Sequence, residues 1–132
     1  MRLILVQRDG TDLYTTFFAS ETSREILRFY RPQTEQYGVS VRVISLGAAL
    51  SLAAELRWYL KRYVVLALFE MTPGRACTLP YARAIEQRAV DPDSPPERRF
   101  FIGFVEGRPV VTEGLDGDLE VWVLEWEAIG MW

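Results

Sequence analysis

Apolar and polar positions divide the chain into short segments of two different periods. Residues 3–6 are apolar, Gln7 and Arg8 close the run, and residues 3–8 read as a strand. Asp9-Gly10 follows, a hairpin signal because glycine adopts positive φ without steric cost. Residues 13–18 are rich in aromatic and β-branched side chains and predict the returning strand. Thr22 and Glu25 have the spacing of a capping box. Ile26, Leu27, Phe29 and Tyr30 then supply the apolar side of a short helix, which Pro32 ends.

Residues 39–46 alternate and predict a strand. Ala49, Leu52, Ala53, Leu56, Leu60 and Tyr63 recur on one helical stripe, which predicts a helix over 47–62. Residues 64–69 are continuously apolar, the mark of a strand covered on both faces, here 64–70. Strand, helix and strand in that order predict a parallel crossover. After the Thr72-Pro73-Gly74 turn, Thr78 caps a third helix with Pro80 in its first turn, and Ile85 and Ala89 continue its buried side. Residues 91–96 carry three prolines and two aspartates and read as a loop. Three strands follow, at 100–105, 109–112 and 119–129, with turns at Gly107 and Asp116-Gly117. In the last strand Trp122, Leu124, Trp126 and Ala128 share the face expected to close the core, with Glu125 and Glu127 pointing outward. The expected fold is a single α+β domain over 1–132. It has a mixed β-sheet, about three helices packed mainly on one face, and a C-terminal antiparallel meander.

Composition narrows the function classes. The 132 residues include no histidine and one cysteine. That removes the commonest general base, the Ser-His and Cys-His pairs, a disulfide framework and a thiolate zinc site. Four apolar residues near the N-terminus are too few for a signal peptide, and no run approaches a membrane span. The expectation is a soluble, cytoplasmic chain without a membrane partner.

Three patterns suggest chemistry, and each has a simpler explanation. Cys77 and Arg83 have the Cys-x5-Arg spacing of phosphatases that attack phosphate with a thiolate. Pro80 removes one N–H that such a phosphate cradle needs, and glycines are missing between them. Glu113, Asp116, Asp118 and Glu120 could ligate a hard cation, but the EF-hand spacing is absent and a solvated turn accounts for them. Asp9 and Asp12 flank Gly10 as turn residues do. No catalytic, cofactor or metal-ligating residue is assigned, and no cofactor is expected.

Binding surfaces are better marked. Trp58 lies opposite the buried helical stripe, with Arg57, Lys61 and Arg62 beside it. A tryptophan on a basic face is the residue type expected at an interaction hot spot. Arg24, Arg28 and Arg31 form a second row at helical spacing, and the apolar C-terminal Trp132 is expected to dock against this chain or a partner. The net charge of −3 hides a division. Residues 1–90 carry 12 basic and 8 acidic side chains, and residues 91–132 carry 3 and 10. The basic rows could track phosphates, meet an acidic partner, or pair with the chain's own acidic third. The expected function is a small non-enzymatic regulator or inhibitor, of the kind found among phage-encoded and other accessory factors. It binds a larger protein through the Trp58 face, the acidic C-terminal hairpin, or both. A nucleic-acid-associated protein using the arginine-bearing helices is the alternative. A cysteine- or carboxylate-dependent hydrolase ranks behind both.

Overall fold

A computed structural model of the chain describes residues 1–128. Strand β1 (Arg2–Gln7) sits inside an eight-stranded mixed sheet and alternates Leu3 and Leu5 onto one face, Ile4 and Val6 onto the other. The segment after Gly10, expected to return as a strand, is helix α1 (Leu13–Ala19). The Asp12 carboxylate accepts the Thr15 N–H and caps the helix start. Leu13 and Phe17, four apart, are both fully buried, so helical burial overrides the strand preference of the run. Helix α2 (Glu21–Leu27) follows at once and starts at Ser20, not at Thr22.

Strands β2 (Gln33–Glu35) and β3 (Gly38–Arg42) lead to helix α3 (Leu46–Glu55), whose cap is the Ser45 hydroxyl accepting the Ala48 N–H. The expected single helix over 47–62 breaks at the buried Leu56, whose φ of −89° and ψ of 5° leave the helical region, and helix α4 (Arg57–Tyr63) follows at once. Strand β4 (Val64–Thr72) turns at Gly74 into strand β5 (Arg75–Thr78). Thr78 caps helix α5 (Leu79–Glu86) by accepting the Tyr81 N–H, and Pro80 lies in its first turn, both as expected. The buried side of α5 is Tyr81, Ala82 and Ala84, while Ala89 is exposed beyond its end.

The last strands are β6 (Arg99–Val105), β7 (Arg108–Thr112) and β8 (Leu119–Trp122). The sheet order is β2-β3-β1-β4-β5-β8-β6-β7. Among the described residues only β5 and β8 pair in parallel. β3 and β4 also run in the same direction, as the crossover predicts, but both pair antiparallel to β1, which lies between them. In the C-terminal part β6 and β7 form a hairpin, and β8 passes to the far side of β6 to join β5. The three strands are therefore antiparallel to their neighbours among themselves but are not laid down in chain order.

The five helices of the described residues all contribute to one core on one face of the sheet. Leu13, Phe17, Leu27, Leu52, Leu56, Tyr59 and Tyr81 meet Leu3, Leu5, Val41, Phe69 and Trp122 there. The fold class is α+β with a mixed sheet, with five helices among the described residues where about three were expected. The opposite face buries Ile4, Val6, Leu68, Ala76, Phe100, Ile102 and Val121, with no helical residue in that cluster among the described residues. Here the sheet covers itself. The Tyr37 ring, between β2 and β3, stacks on Phe104 of β6 at 4.6 Å, although those strands lie far apart in the sheet order. Gly107 packs against the Gln36 carbonyl, and Arg108 pairs with Asp9 at 3.2 Å across the same closure. Among the described residues no helix is long and apolar enough to cross a membrane.

Candidate functional site

Helix α4 presents two sides. Tyr59 is buried against Phe17, and its hydroxyl meets the Ser20 hydroxyl at 2.6 Å, which fixes α4 against the α1–α2 junction and lowers the Tyr59 pKa. Trp58, one residue earlier, turns away from that core and is 52% exposed. Its ring packs edge-on against Tyr59 at 5.0 Å and Tyr63 at 6.2 Å. The Arg62 guanidinium lies over its face at 4.2 Å from the ring centroid. A groove of about 410 Å³ opens beside it, lined by Thr15, Thr16, Ala19 and Ser20 from the α1 side and by Trp58, Tyr59 and Tyr63 from α4. No charged residue lines that groove.

The charges sit around it. Arg57, Lys61 and Arg62 are exposed, and Lys61 and Arg62 occupy the last turn of α4, where cations complement the helix dipole. Arg8 adds a fourth cation by donating to the Lys61 and Arg62 carbonyls at 3.3 and 3.1 Å. Neither Arg57 nor Lys61 has a side-chain hydrogen bond or ion pair among the described residues.

The other basic row is elsewhere. Arg24 and Arg28 are exposed on and just beyond α2, and Arg28 is held by Glu25 at 2.7 Å with its guanidinium over Phe29. Arg31 lines a different cavity, and none of the three lines the Trp58 groove. Trp132 lies outside the described residues. The chain's acidic third does not neutralise either row: among the described residues, the one ion pair across that division joins Arg108 to Asp9.

The chemical patterns resolve into structural roles. Cys77 is fully buried in β5, and burial, with Glu127 nearby, pushes its thiol up to about 12, so no reactive thiolate is presented near neutral pH. Asp118 accepts from the Thr112 hydroxyl and the Leu115 N–H, and Glu120 pairs with Arg99. Among the described residues no cluster of three or more carboxylate or thiol side chains is placed to hold a metal ion. Glu127, expected to point outward, accepts from the Thr78 hydroxyl and from the Leu124 N–H.

The expected tryptophan face also divides. Trp122 is core, packed against Tyr81, whereas β8 ends there and Trp126 sits in a turn, 73% exposed. Trp126 borders a cavity of about 540 Å³ with Pro95, Pro96, Glu97 and Glu125. Period-two spacing assigned Trp126 to the core, and Gly or Pro punctuation that would have ended the strand earlier is missing from residues 122–128.

No curated protein and no solved structure matches the chain. A family match covers residues 1–95, which include β1 to β5, all five helices and the whole Trp58 groove, and it stops before β6. Since that match spans well over half of the chain, the protein belongs to DUF5804, a family of unknown function.

Proposed function

We propose that this protein is a small non-enzymatic interaction protein, a regulator or inhibitor that docks on a larger protein through the Trp58 face of α4. The observation that carries this reading is the half-exposed indole itself, braced by Tyr59, Tyr63 and Arg62 at the edge of an uncharged groove. Tryptophan, tyrosine and arginine are the residue types enriched at protein hot spots. Holding the ring in advance lowers the entropy lost on association. Arg57 and Lys61, unpaired and outward, would steer an acidic surface into register, and the acidic C-terminal strands supply a second contact of opposite sign.

The protein reading is preferred to a nucleic-acid track. Arg31 lines a cavity to which α4 contributes no residue, Arg28 is engaged by Glu25, and Arg62 is engaged by Trp58. Affinity for phosphates grows with the number of Lys and Arg side chains free to neutralise them.

The test is affinity purification of the tagged chain from its native lysate, followed by mass spectrometry at two salt concentrations. The reading requires a stoichiometric protein partner whose recovery falls as salt rises, since exposed charges steer the encounter. Recovery of nucleic acid with no stoichiometric protein would contradict it.

A further inference from the structure

A second surface, separate from the Trp58 groove, carries the two most exposed large apolar side chains among the described residues. Phe29, just after α2, is 82% exposed, and Ile44, between β3 and α3, is 97% exposed. Both line one cavity of about 650 Å³ together with Tyr30, Arg31, Arg42 and Val43. Arg31 and Arg42 are the charged residues in that lining, and no carboxylate is among them. Neither arginine has a side-chain ion pair or hydrogen bond among the described residues.

These side chains are held out, not left loose. Ile44 lies between two fixed points: the Val43 N–H donates to the Met1 carbonyl at 3.1 Å, and the Ser45 hydroxyl caps α3. Phe29 is flanked by the Tyr30 N–H donating to the Leu27 carbonyl at 2.9 Å. The Arg28 guanidinium, itself anchored on Glu25, covers its ring at 4.4 Å. An isolated exposed apolar residue means little, but two that share a cavity on anchored backbone mark a docking surface. The cationic lining without a carboxylate fixes the sign of what docks there.

We propose that this cavity takes an acidic segment of a partner protein, with a bulky apolar side chain seated between Phe29 and Ile44 and carboxylates on Arg31 and Arg42. The surface shares no lining residue with the Trp58 groove, so either can fail without the other.

A displayed library of random twelve-residue peptides, selected on the full chain and measured by fluorescence anisotropy, tests this. The expected binders are enriched in Asp and Glu around one or two large apolar residues. The Phe29→Ser/Ile44→Ser variant should weaken them about tenfold or more, as loss of a hot-spot pair does. Arg31→Glu/Arg42→Glu should do the same, while Leu115→Ser, which removes an exposed apolar side chain elsewhere, should not. All five altered residues are exposed, so melting temperatures should stay within about 2 °C of the parent. Binders without acidic bias, or insensitive to both double variants, overturn the proposal. So does self-association of the chain that the Phe29→Ser/Ile44→Ser variant abolishes, since the occupant is then a second copy. Binding to phosphatidylglycerol vesicles that depends on the same two residues also overturns it.

Discussion

Arg62 lies one helical turn after Trp58, and its guanidinium covers the Trp58 ring at 4.2 Å. The contact holds the indole at the surface with one face covered. Because the ring is half exposed, removing it costs only edge contacts and the cation–π term. Trp58→Ala should therefore lower stability by about 1 kcal/mol, or about 3 °C in melting temperature. Trp122→Ala, by contrast, empties a fully buried site and should cost about 3–5 kcal/mol. Thermal unfolding of the two variants side by side checks the contrast, and an equal loss would place Trp58 in the core.

The thiol of Cys77 offers a chemical readout of the same core. Its raised pKa, about 12, and its burial predict negligible alkylation by iodoacetamide at pH 8 while the chain is folded, with full reaction in denaturant. Rapid alkylation of the folded chain would contradict the burial.

High pH should weaken the fold in a defined window. Burial raises Cys77 from 9.0 and Tyr37 from 10.0, each to about 12. Between the unfolded and folded values the native state holds protons that the unfolded chain has released. Stability is then fully present below pH 9 and falls as pH rises toward 12, by up to about 1.4 kcal/mol per pH unit for each group. Denaturant titrations at pH 8, 9.5 and 10.5 should show the unfolding midpoint dropping steadily. Cys77→Ala should flatten the first part of that slope.

Closure of the sheet onto itself rests on Gly107. Its φ of +81° disfavours any side chain, and a Cβ there collides with the Gln36 carbonyl oxygen. Gly107→Ala should cost about 2 kcal/mol or more, combining backbone strain with displacement of the β6–β7 turn. It should also loosen the Tyr37–Phe104 stack, which amide exchange in β2 and β6 would report as faster opening. Unchanged exchange would mean that the closure does not depend on this turn.

Arg2 and Glu70 tie β1 to β4 through two hydrogen bonds, at 2.8 and 3.1 Å, and this pair raises the Arg2 pKa. Glu70 is buried, so Glu70→Gln should cost about 1–2 kcal/mol by weakening a charge-assisted bidentate contact. A neutral result in chemical denaturation would show the pair to be solvent-screened.

Much of the architecture was readable where one local signal agreed with burial. The stripe from Ala49 to Leu56, the Thr78 cap and the doubly covered strand beginning at Val64 are of that kind. Residues 13–18 misled because β-branched and aromatic side chains favour a strand, while the decisive features were the Asp12 cap and the four-residue spacing of Leu13 and Phe17. Trp58 and its cations were legible because they share one short helix. The groove beside them was not, since its other wall comes from α1, the segment read as a strand. Phe29 and Ile44 meet only through tertiary packing, and no periodicity links them.

Binding of the captured partner to the parent chain and to Trp58→Ala, by calorimetry at matched salt, tests the central claim most directly. The account predicts an affinity at least about tenfold weaker for the variant, which corresponds to about 1.4 kcal/mol, with the fold intact by circular dichroism. Equal affinity for the two chains, or the failure of any protein to bind the parent stoichiometrically, would contradict it.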